Sequence, residues 1–277
     1  MKKYRFTLVL IFILSCISLI GCNVVDSALV KIGVRNNDFD YLIQNKVEKI
    51  IIQNSRDAGF RFIMNDPNVI YDIYKILSKG NIKDEKTSLD PDYIFEVYVG
   101  DEVKSYNYVV SVDERGVGNF YDENKSYLVS KSLDDSITQN LSFIRKPRDF
   151  EEIYYNSILE VLRLKKDELT KSEHKVGVDI TGDVDCLKYM FSVDLKKFEK
   201  ELGKIVPGTK LINNNSDEFD TVISVNNRGY NSKKFRTVIT VDNKKDKIYE
   251  TYYVVGNYEY KSWDIYIGEP GKRPDEW

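Results

Sequence analysis

The sequence IYETYYVVGNYEYKSWDIYI, residues 248–267, carries the clearest signal for the fold. Its β-branched and aromatic residues predict two strands, at 248–255 and 258–267. Gly256-Asn257 lies between them and is a typical two-residue hairpin turn, so the strands are expected to be antiparallel. This part of the chain therefore predicts an antiparallel sheet.

Strands of the same kind alternate with amphipathic helices over most of the chain. Asp66 followed by Pro67 predicts the start of one helix, and Asp194 predicts the start of another. A long helix is expected at 148–169 and a short one at 133–141. Further strands are expected at 47–53, 60–64, 93–99, 106–112, 127–129, 176–181, 186–191, 221–225 and 235–241.

These elements predict an α+β protein with two antiparallel-sheet units, each with a packed helix, joined by the long helix. The order of elements after residue 175 repeats the order before it. VVSVD at 109–113 and VITVD at 238–242 fall at matching places. The second unit is therefore interpreted as a diverged repeat of the first.

The N-terminal segment has the layout of a secretory signal. Lys2, Lys3 and Arg5 precede an apolar run at 6–19, which is short for a membrane-spanning helix. The run ends in Leu-Ile-Gly-Cys at 19–22, which resembles the lipobox of bacterial lipoproteins. The resemblance implies cleavage between Gly21 and Cys22 and a diacylglyceryl group on the Cys22 thiol. The alternatives are an uncleaved N-terminal anchor or an ordinary signal peptide cleaved nearby.

Charge and cysteine content restrict the possible functions. Without residues 1–21 the net charge is −6, with both signs interspersed, which argues against nucleic-acid binding. Cys16 leaves with the signal and Cys22 is acylated, so Cys186 has no cysteine to pair with. Cys186 lies in an apolar run interpreted as a strand, which favours a buried, inert thiol. The abundance of Lys, Asn, Ile and Tyr is typical of an AT-rich Gram-positive bacterium.

Residues 46–147 also resemble the YhfM-like domain of small Gram-positive lipoproteins. The resemblance depends on the order of elements and on four short stretches: Lys49-Ile50-Ile51-Ile52, the helix after Asp66, Asp90-Pro91-Asp92-Tyr93, and Tyr127-Leu128-Val129-Ser130-Lys131. It implies a compartment and a fold, and no activity. The predicted organisation is a signal peptide at 1–21, a membrane-proximal tether at 22–45, the YhfM-like α+β domain at 46–147, a linking helix and joint at 148–175, and a second α+β domain at 176–277.

Few residues suggest catalysis or metal binding. His174 is the only histidine and lies in a polar joint, where a solvated side chain is expected. Carboxylates cluster at Asp90 and Asp92 and at 217–220, and a pair of them could hydrolyse glycosides or ligate calcium. Turn formation explains both clusters equally well. No cofactor and no metal site is predicted.

The final hairpin is the candidate recognition surface. If residues 258–267 form one strand, Tyr258, Tyr260 and Tyr266 share one face, and Trp263, Ile265 and Ile267 share the other. The Trp-Ile-Ile face is expected to pack inward, which leaves a tyrosine row for a ligand.

The functional expectation is a cell-surface lipoprotein that acts as a non-catalytic binding or interaction module. It is expected on the outer face of the cytoplasmic membrane, held by its diacylglyceryl-cysteine, with an envelope protein or glycan as partner. An envelope hydrolase that uses a carboxylate pair and a purely structural envelope component are the alternatives.

Overall fold

The computed structural model describes residues 30, 34–44, 47–139, 146–171 and 174–277. The predicted signal peptide, including Gly21 and Cys22, and most of the predicted tether lie outside these residues. The described residues form two compact units. The first contains the described residues up to Ile51 together with Ile63–Thr87 and Phe95–Ser136. The second contains Ile52–Phe62, Ser88–Ile94 and Ile137–Trp277.

The first sheet has the strand order β2-β1-β4-β5-β6-β7-β3. Pairs β5–β6, β6–β7 and β3–β7 are antiparallel. Its elements, in chain order, are a 3-10 turn (Asp40–Leu42), β1 (Val47–Asn54), β2 (Arg61–Met64), α1 (Pro67–Leu77), β3 (Asn81–Lys83), β4 (Tyr93–Val99), β5 (Glu102–Val109), β6 (Gly118–Tyr121), β7 (Ser126–Val129) and α2 (Ser132–Gln139).

Helix α1 begins where the sequence predicts. The Asp66 side chain accepts a hydrogen bond of 2.8 Å from the Asn68 backbone N–H, and Pro67 occupies the first helical position, where no backbone donor is needed. The helix buries Ile70, Ile73 and Leu77 on one face. The 3.6-residue periodicity was therefore a sufficient signal for this element.

Residues 34–44, the end of the predicted tether, are packed into the first unit. The Asn36 side-chain amide donates to the carbonyl oxygens of Leu77 and Gly80, each at 2.9 Å. Phe39 is only 1% exposed and lies among aromatic rings that include Phe120 and Tyr127. For this stretch the interpretation as a tether is wrong, because its few apolar side chains are inserted into the core.

The second sheet has the strand order β13-β12-β11-β10-β8-β9. Strands β10 to β13 form an antiparallel meander, whereas β8 is parallel to both β10 and β9. The elements are α3 (Phe150–Leu164), α4 (Lys166–Lys171), β8 (Val176–Asp179), α5 (Val184–Leu187), α6 (Ser192–Ile205), β9 (Lys210–Leu211), a 3-10 turn (Ser216–Glu218), β10 (Thr221–Tyr230), β11 (Lys234–Asn243), β12 (Ile248–Glu259) and β13 (Ser262–Ile267).

Helices α3 and α6 supply much of the core of the second unit. In α3, Phe150, Ile153 and Ile158 are fully buried, and in α6 Leu202 is fully buried. They join Val178, Ile223, Phe235 and Ile239 of the sheet in one apolar cluster. The helix predicted to link two domains is thus a core helix of the second unit, and it ends at Leu164 rather than continuing to 169.

The predicted α+β class with two antiparallel-rich sheets and packed helices is confirmed. The strand predicted at 186–191 is wrong: Cys186 lies in the short helix α5, and α6 already begins at Ser192. A short apolar run fits a strand and a buried helical turn equally well, so its sequence alone did not decide between them. The order of elements in the two halves therefore differs at this point.

Candidate functional site

The second sheet has one face that the helices cover and one face that they do not cover. On β11, Phe235, Ile239 and Val241 point into the core and are at most 2% exposed. Arg236, Val238 and Thr240, which alternate with the buried positions, are partly exposed, as strand alternation requires. We call this second side the open face. It consists of Ser224, Asn226, Arg236, Val238, Thr240, Asp242, Thr251, Tyr253, Val255 and Tyr266.

The strand register aligns the open face into cross-strand rows. Ser224, Thr240 and Thr251 form a row of hydroxyl groups. In the next row Val238 lies between Asn226 and Tyr253, and in the following row Val255 lies between Arg236 and Tyr266. The surface thus combines hydroxyl and amide groups with aromatic rings and one guanidinium. Such a set forms hydrogen bonds and stacking contacts, and it contains no acid–base pair.

The C-terminal segment borders the open face on one side. The Trp277 ring meets the Tyr253 ring edge-on, with 4.9 Å between centroids. The Lys234 ammonium donates to the Glu276 carbonyl at 2.9 Å, and the Asn257 side chain donates to the Glu276 carboxylate at 2.9 Å. These contacts tie the segment to β11 and β12. Val255, in the row between these contacts, is 1% exposed.

A small apolar cluster borders the other side, next to β8. Ile212, Phe219 and Val222 pack together there, above Gly177. A Cβ at Gly177 would lie 2.7 Å from side-chain atoms of both Ile212 and Phe219, so no larger residue fits. The hydroxyl row and its neighbours on β10, β11 and β12 therefore lie between the C-terminal segment on one side and this apolar cluster on the other.

The predicted tyrosine row does not exist, because the hairpin turn lies elsewhere. The turn is at Tyr260 and Lys261, whose φ angles are +50° and +67°, and not at Gly256-Asn257. Tyr258 pairs with Trp263 across the turn, on the helix-covered face, with the two rings 5.2 Å apart. Trp263 is buried as predicted. Only Tyr266 reaches the open face, where it is 59% exposed.

Tyr260 lies at the tip of this hairpin and is 98% exposed. We expect Tyr260→Ala to change the free energy of unfolding by no more than about 0.5 kcal/mol, because the ring stays in solvent and makes no buried contact that the substitution would remove. Urea unfolding of the two proteins measures this. A loss of several kcal/mol would show that the ring is packed, contrary to this structure.

The acidic clusters are occupied by structural contacts. The Asp92 side chain is fully buried and accepts from the Arg56 guanidinium at 2.7 Å and from the Ser192 backbone N–H at 2.8 Å. The Asp220 carboxylate accepts from the Lys175 backbone N–H at 3.0 Å, which lowers its pKa. Among the described residues, no group of three His, Cys, Asp or Glu side chains is placed to hold a metal ion.

Two single residues complete the inventory of possible nucleophiles and bases. Cys186 is fully buried as expected, and its burial, with Asp183 beside it, raises the pKa of the thiol. A thiol held protonated is a poor nucleophile. The His174 side chain is 5% exposed, so the prediction of a solvated histidine is wrong; its Nδ1 lies 3.9 Å from an Asp246 carboxylate oxygen.

Asp183 is a buried carboxyl at the start of α5. Its Oδ1 accepts from the Asn227 backbone N–H at 3.1 Å. Burial raises the pKa of this carboxyl above the unfolded value of about 3.9. The native state therefore keeps a proton that the unfolded chain has already released. Binding of this proton stabilises the native state relative to the unfolded chain. This stabilisation is complete below the pKa of the unfolded chain and is lost as the pH rises through the pKa of the folded state.

Asp183→Asn should therefore stabilise the protein at about pH 7, because the amide still accepts from Asn227 and has no proton to lose. The difference in the free energy of unfolding between this variant and the wild-type protein should become smaller as the pH is lowered toward about 4. Urea midpoints across this range measure it, with the exposed Asp185→Asn as control. A gain that does not depend on pH would show that Asp183 ionises normally in the fold.

Comparison with known proteins found a family model that matches part of the chain. A family model described as YhfM protein matches residues 43–147. These residues form a YhfM-like domain. The match ends before α3, so the YhfM-like domain contains no residue of the open face. No curated protein and no solved structure matches the chain.

Gly21 and Cys22, the predicted cleavage and lipidation site, lie outside the described residues. Within the part of the chain that the structure describes, no helix has the length and apolar character needed to span a bilayer.

Proposed function

We propose that this protein is a non-catalytic binding module that contacts its partner through the open face of the second sheet. The observation that carries the proposal is the composition of that face: a row of hydroxyl groups, flanked by an amide, two tyrosines and an arginine, on the side of the sheet that the helices do not cover. A sheet face of this kind exposes directional polar groups and aromatic surface at little cost in conformational entropy, because the strands hold the side chains in place.

The proposal places the module at the outer face of the cytoplasmic membrane, on a lipid anchor. The support is the sequence: basic residues, a short apolar run and Leu-Ile-Gly-Cys at 19–22. Two acyl chains suffice for stable membrane attachment, whereas one gives only reversible binding. The anchor and the open face lie at opposite ends of the sequence, so attachment and recognition involve separate segments.

The hydrolase alternative has no comparable support. A glycosidase needs two carboxyl groups facing one substrate bond. Asp92 is buried in an ion pair with Arg56, and Asp90 contributes its carbonyl oxygen, not its carboxylate, to the Ser192 hydroxyl at 2.7 Å. These contacts give the cluster of Asp90 and Asp92 a structural role.

Site-specific photo-crosslinking in intact cells tests the proposed function. Benzoylphenylalanine is placed in the full chain either at Asn226, exposed on the open face, or at Thr170, exposed on α4. We expect a discrete crosslinked product from Asn226 and none from Thr170. Equal products at both positions, or none at Asn226, would contradict recognition through the open face.

A further inference from the structure

We infer that the open face binds a saccharide that carries carboxylate groups, and that the Arg236 guanidinium receives one of them. This inference rests on the proposed function and adds the chemical class of the ligand. It follows from the state of Arg236, from its neighbours in the sheet, and from the position of the strands on which the face is built.

Arg236 holds a buried donor with no acceptor in the described part of the chain. Its Nε is shielded from solvent, and no hydrogen bond to it is formed by any described residue. Burying a charged donor without an acceptor costs free energy. The Nε itself is out of reach, but the side chain is partly exposed, so a ligand can bind the terminal nitrogens of the guanidinium. A planar guanidinium matches the two oxygens of a carboxylate.

Two other cations border the open face, and both are engaged. The Arg273 guanidinium lies over the Tyr253 ring, 5.3 Å from its centroid. The Lys234 ammonium, in the adjacent row, bonds to the Glu276 carbonyl and lies 3.9 Å from its carboxylate. Arg236 forms no ion pair with any residue that the structure describes. The Arg236 guanidinium therefore matches a ligand group such as a carboxylate.

The neighbours of Arg236 suit a sugar. Tyr266 lies in the same cross-strand row and is 59% exposed, so its ring is available to the apolar side of a sugar ring. The amide of Asn226 lies in the next row, and the hydroxyl groups of Ser224 and Thr240 lie in the row after that. Hydroxyl and amide groups both donate and accept, which matches sugar hydroxyls.

The position of the strands disfavours an extended peptide. Peptides that bind sheets usually add as a strand to a free edge, through main-chain hydrogen bonds. The face is built mainly on β10, β11 and β12, which are interior strands with neighbours on both sides. Their backbone groups are paired within the sheet, so a ligand here meets side chains only.

Calorimetric titration of the purified full chain with hexagalacturonate tests the inference. We expect wild-type protein to bind, and Arg236→Gln to bind about 10- to 100-fold more weakly, as for loss of a charged hydrogen bond. Tyr266→Ala should weaken binding about three- to tenfold. The matched control is Arg163→Gln, an exposed arginine on α3 that pairs with Glu160 and should leave binding unchanged.

Four results would overturn the inference. They are unchanged affinity in a folded Arg236→Gln protein, equal binding of an uncharged galactose oligomer, equal Arg236-dependent binding of poly-L-glutamate, and no binding of hexagalacturonate by the wild-type chain. Urea unfolding establishes that each variant is folded. If the wild-type protein does not bind hexagalacturonate but the crosslink from Asn226 is still observed, the ligand class is wrong and the open face remains the proposed binding surface. If neither binding nor the crosslink is observed, the proposed function is wrong too.

Discussion

Replacing Arg56 with alanine is expected to lower the free energy of unfolding by about 3–5 kcal/mol. Arg56 and Asp92 form an ion pair at 2.7 Å in which the Asp92 side chain has no solvent exposure. Removing the guanidinium deletes this ion pair, while the carboxylate stays buried and still accepts from the Ser192 backbone N–H. A buried charge that loses its counter-ion keeps its desolvation cost, which is why the expected loss is large.

Arg115→Ala provides a matched control for this prediction. Arg115 pairs with Asp113 at the same distance, 2.7 Å, but its side chain is 79% exposed. Exposed pairs contribute at most about 1 kcal/mol, so this variant should unfold close to the wild-type midpoint in urea. Equal losses for Arg56→Ala and Arg115→Ala would show that burial of the first pair has no energetic consequence.

Replacing Cys22 with alanine is expected to abolish incorporation of radioactive palmitate in cells. The proposed lipid anchor attaches the diacylglyceryl group to the Cys22 thiol, and alanine has no sulfur to take it. Because acylation precedes cleavage by the lipoprotein peptidase, the variant should also remain at the size of the precursor.

Cys186→Ala is the control for that experiment. Cys186 is fully buried in the folded protein and should have no part in lipid attachment, so this variant should incorporate palmitate like the wild-type protein. Continued labelling of the Cys22→Ala protein would show that the lipid is attached elsewhere or that the N-terminal segment is an anchor of another kind.

The elements that the sequence predicted well have a strong local signal. Helix α1 has a cap, a first-turn proline and a full apolar face, and β4 alternates clearly. Helix α1 begins where the sequence predicts, and β4 spans the predicted range 93–99. In each case the residues that determine the element are within the element itself. The α+β class follows from such elements alone.

The final hairpin shows where local signals fail. Gly256-Asn257 has the residue types of a tight turn, but Gly256 is a strand residue that leaves space for Ile153 of α3; a Cβ there would lie 2.4 Å from that side chain. The real turn places Tyr260 and Lys261 at positive φ, where neither residue is favoured. Moving the turn changes which residues share a face, so the predicted tyrosine row was lost.

The open face was not predictable from period-two alternation, although its residues lie in strands that the sequence indicated. Alternation shows that Arg236 and Thr240 share a face, but not which face α3 and α6 cover. That choice depends on helices far away in the chain. The ion pair of Arg56 with Asp92 and the contact of Asp92 with Ser192 have the same origin, since they join residues 36 and 100 positions apart.

Cysteine protection in intact cells measures most directly whether the open face is occupied. Asn226→Cys and Thr170→Cys are treated with a membrane-impermeant maleimide, against a background in which Cys186 is fully buried. In purified protein both introduced cysteines should react. In cells we expect the cysteine at 170 to react and the one at 226 to be protected by the bound partner. Equal labelling of both in cells would contradict recognition through the open face.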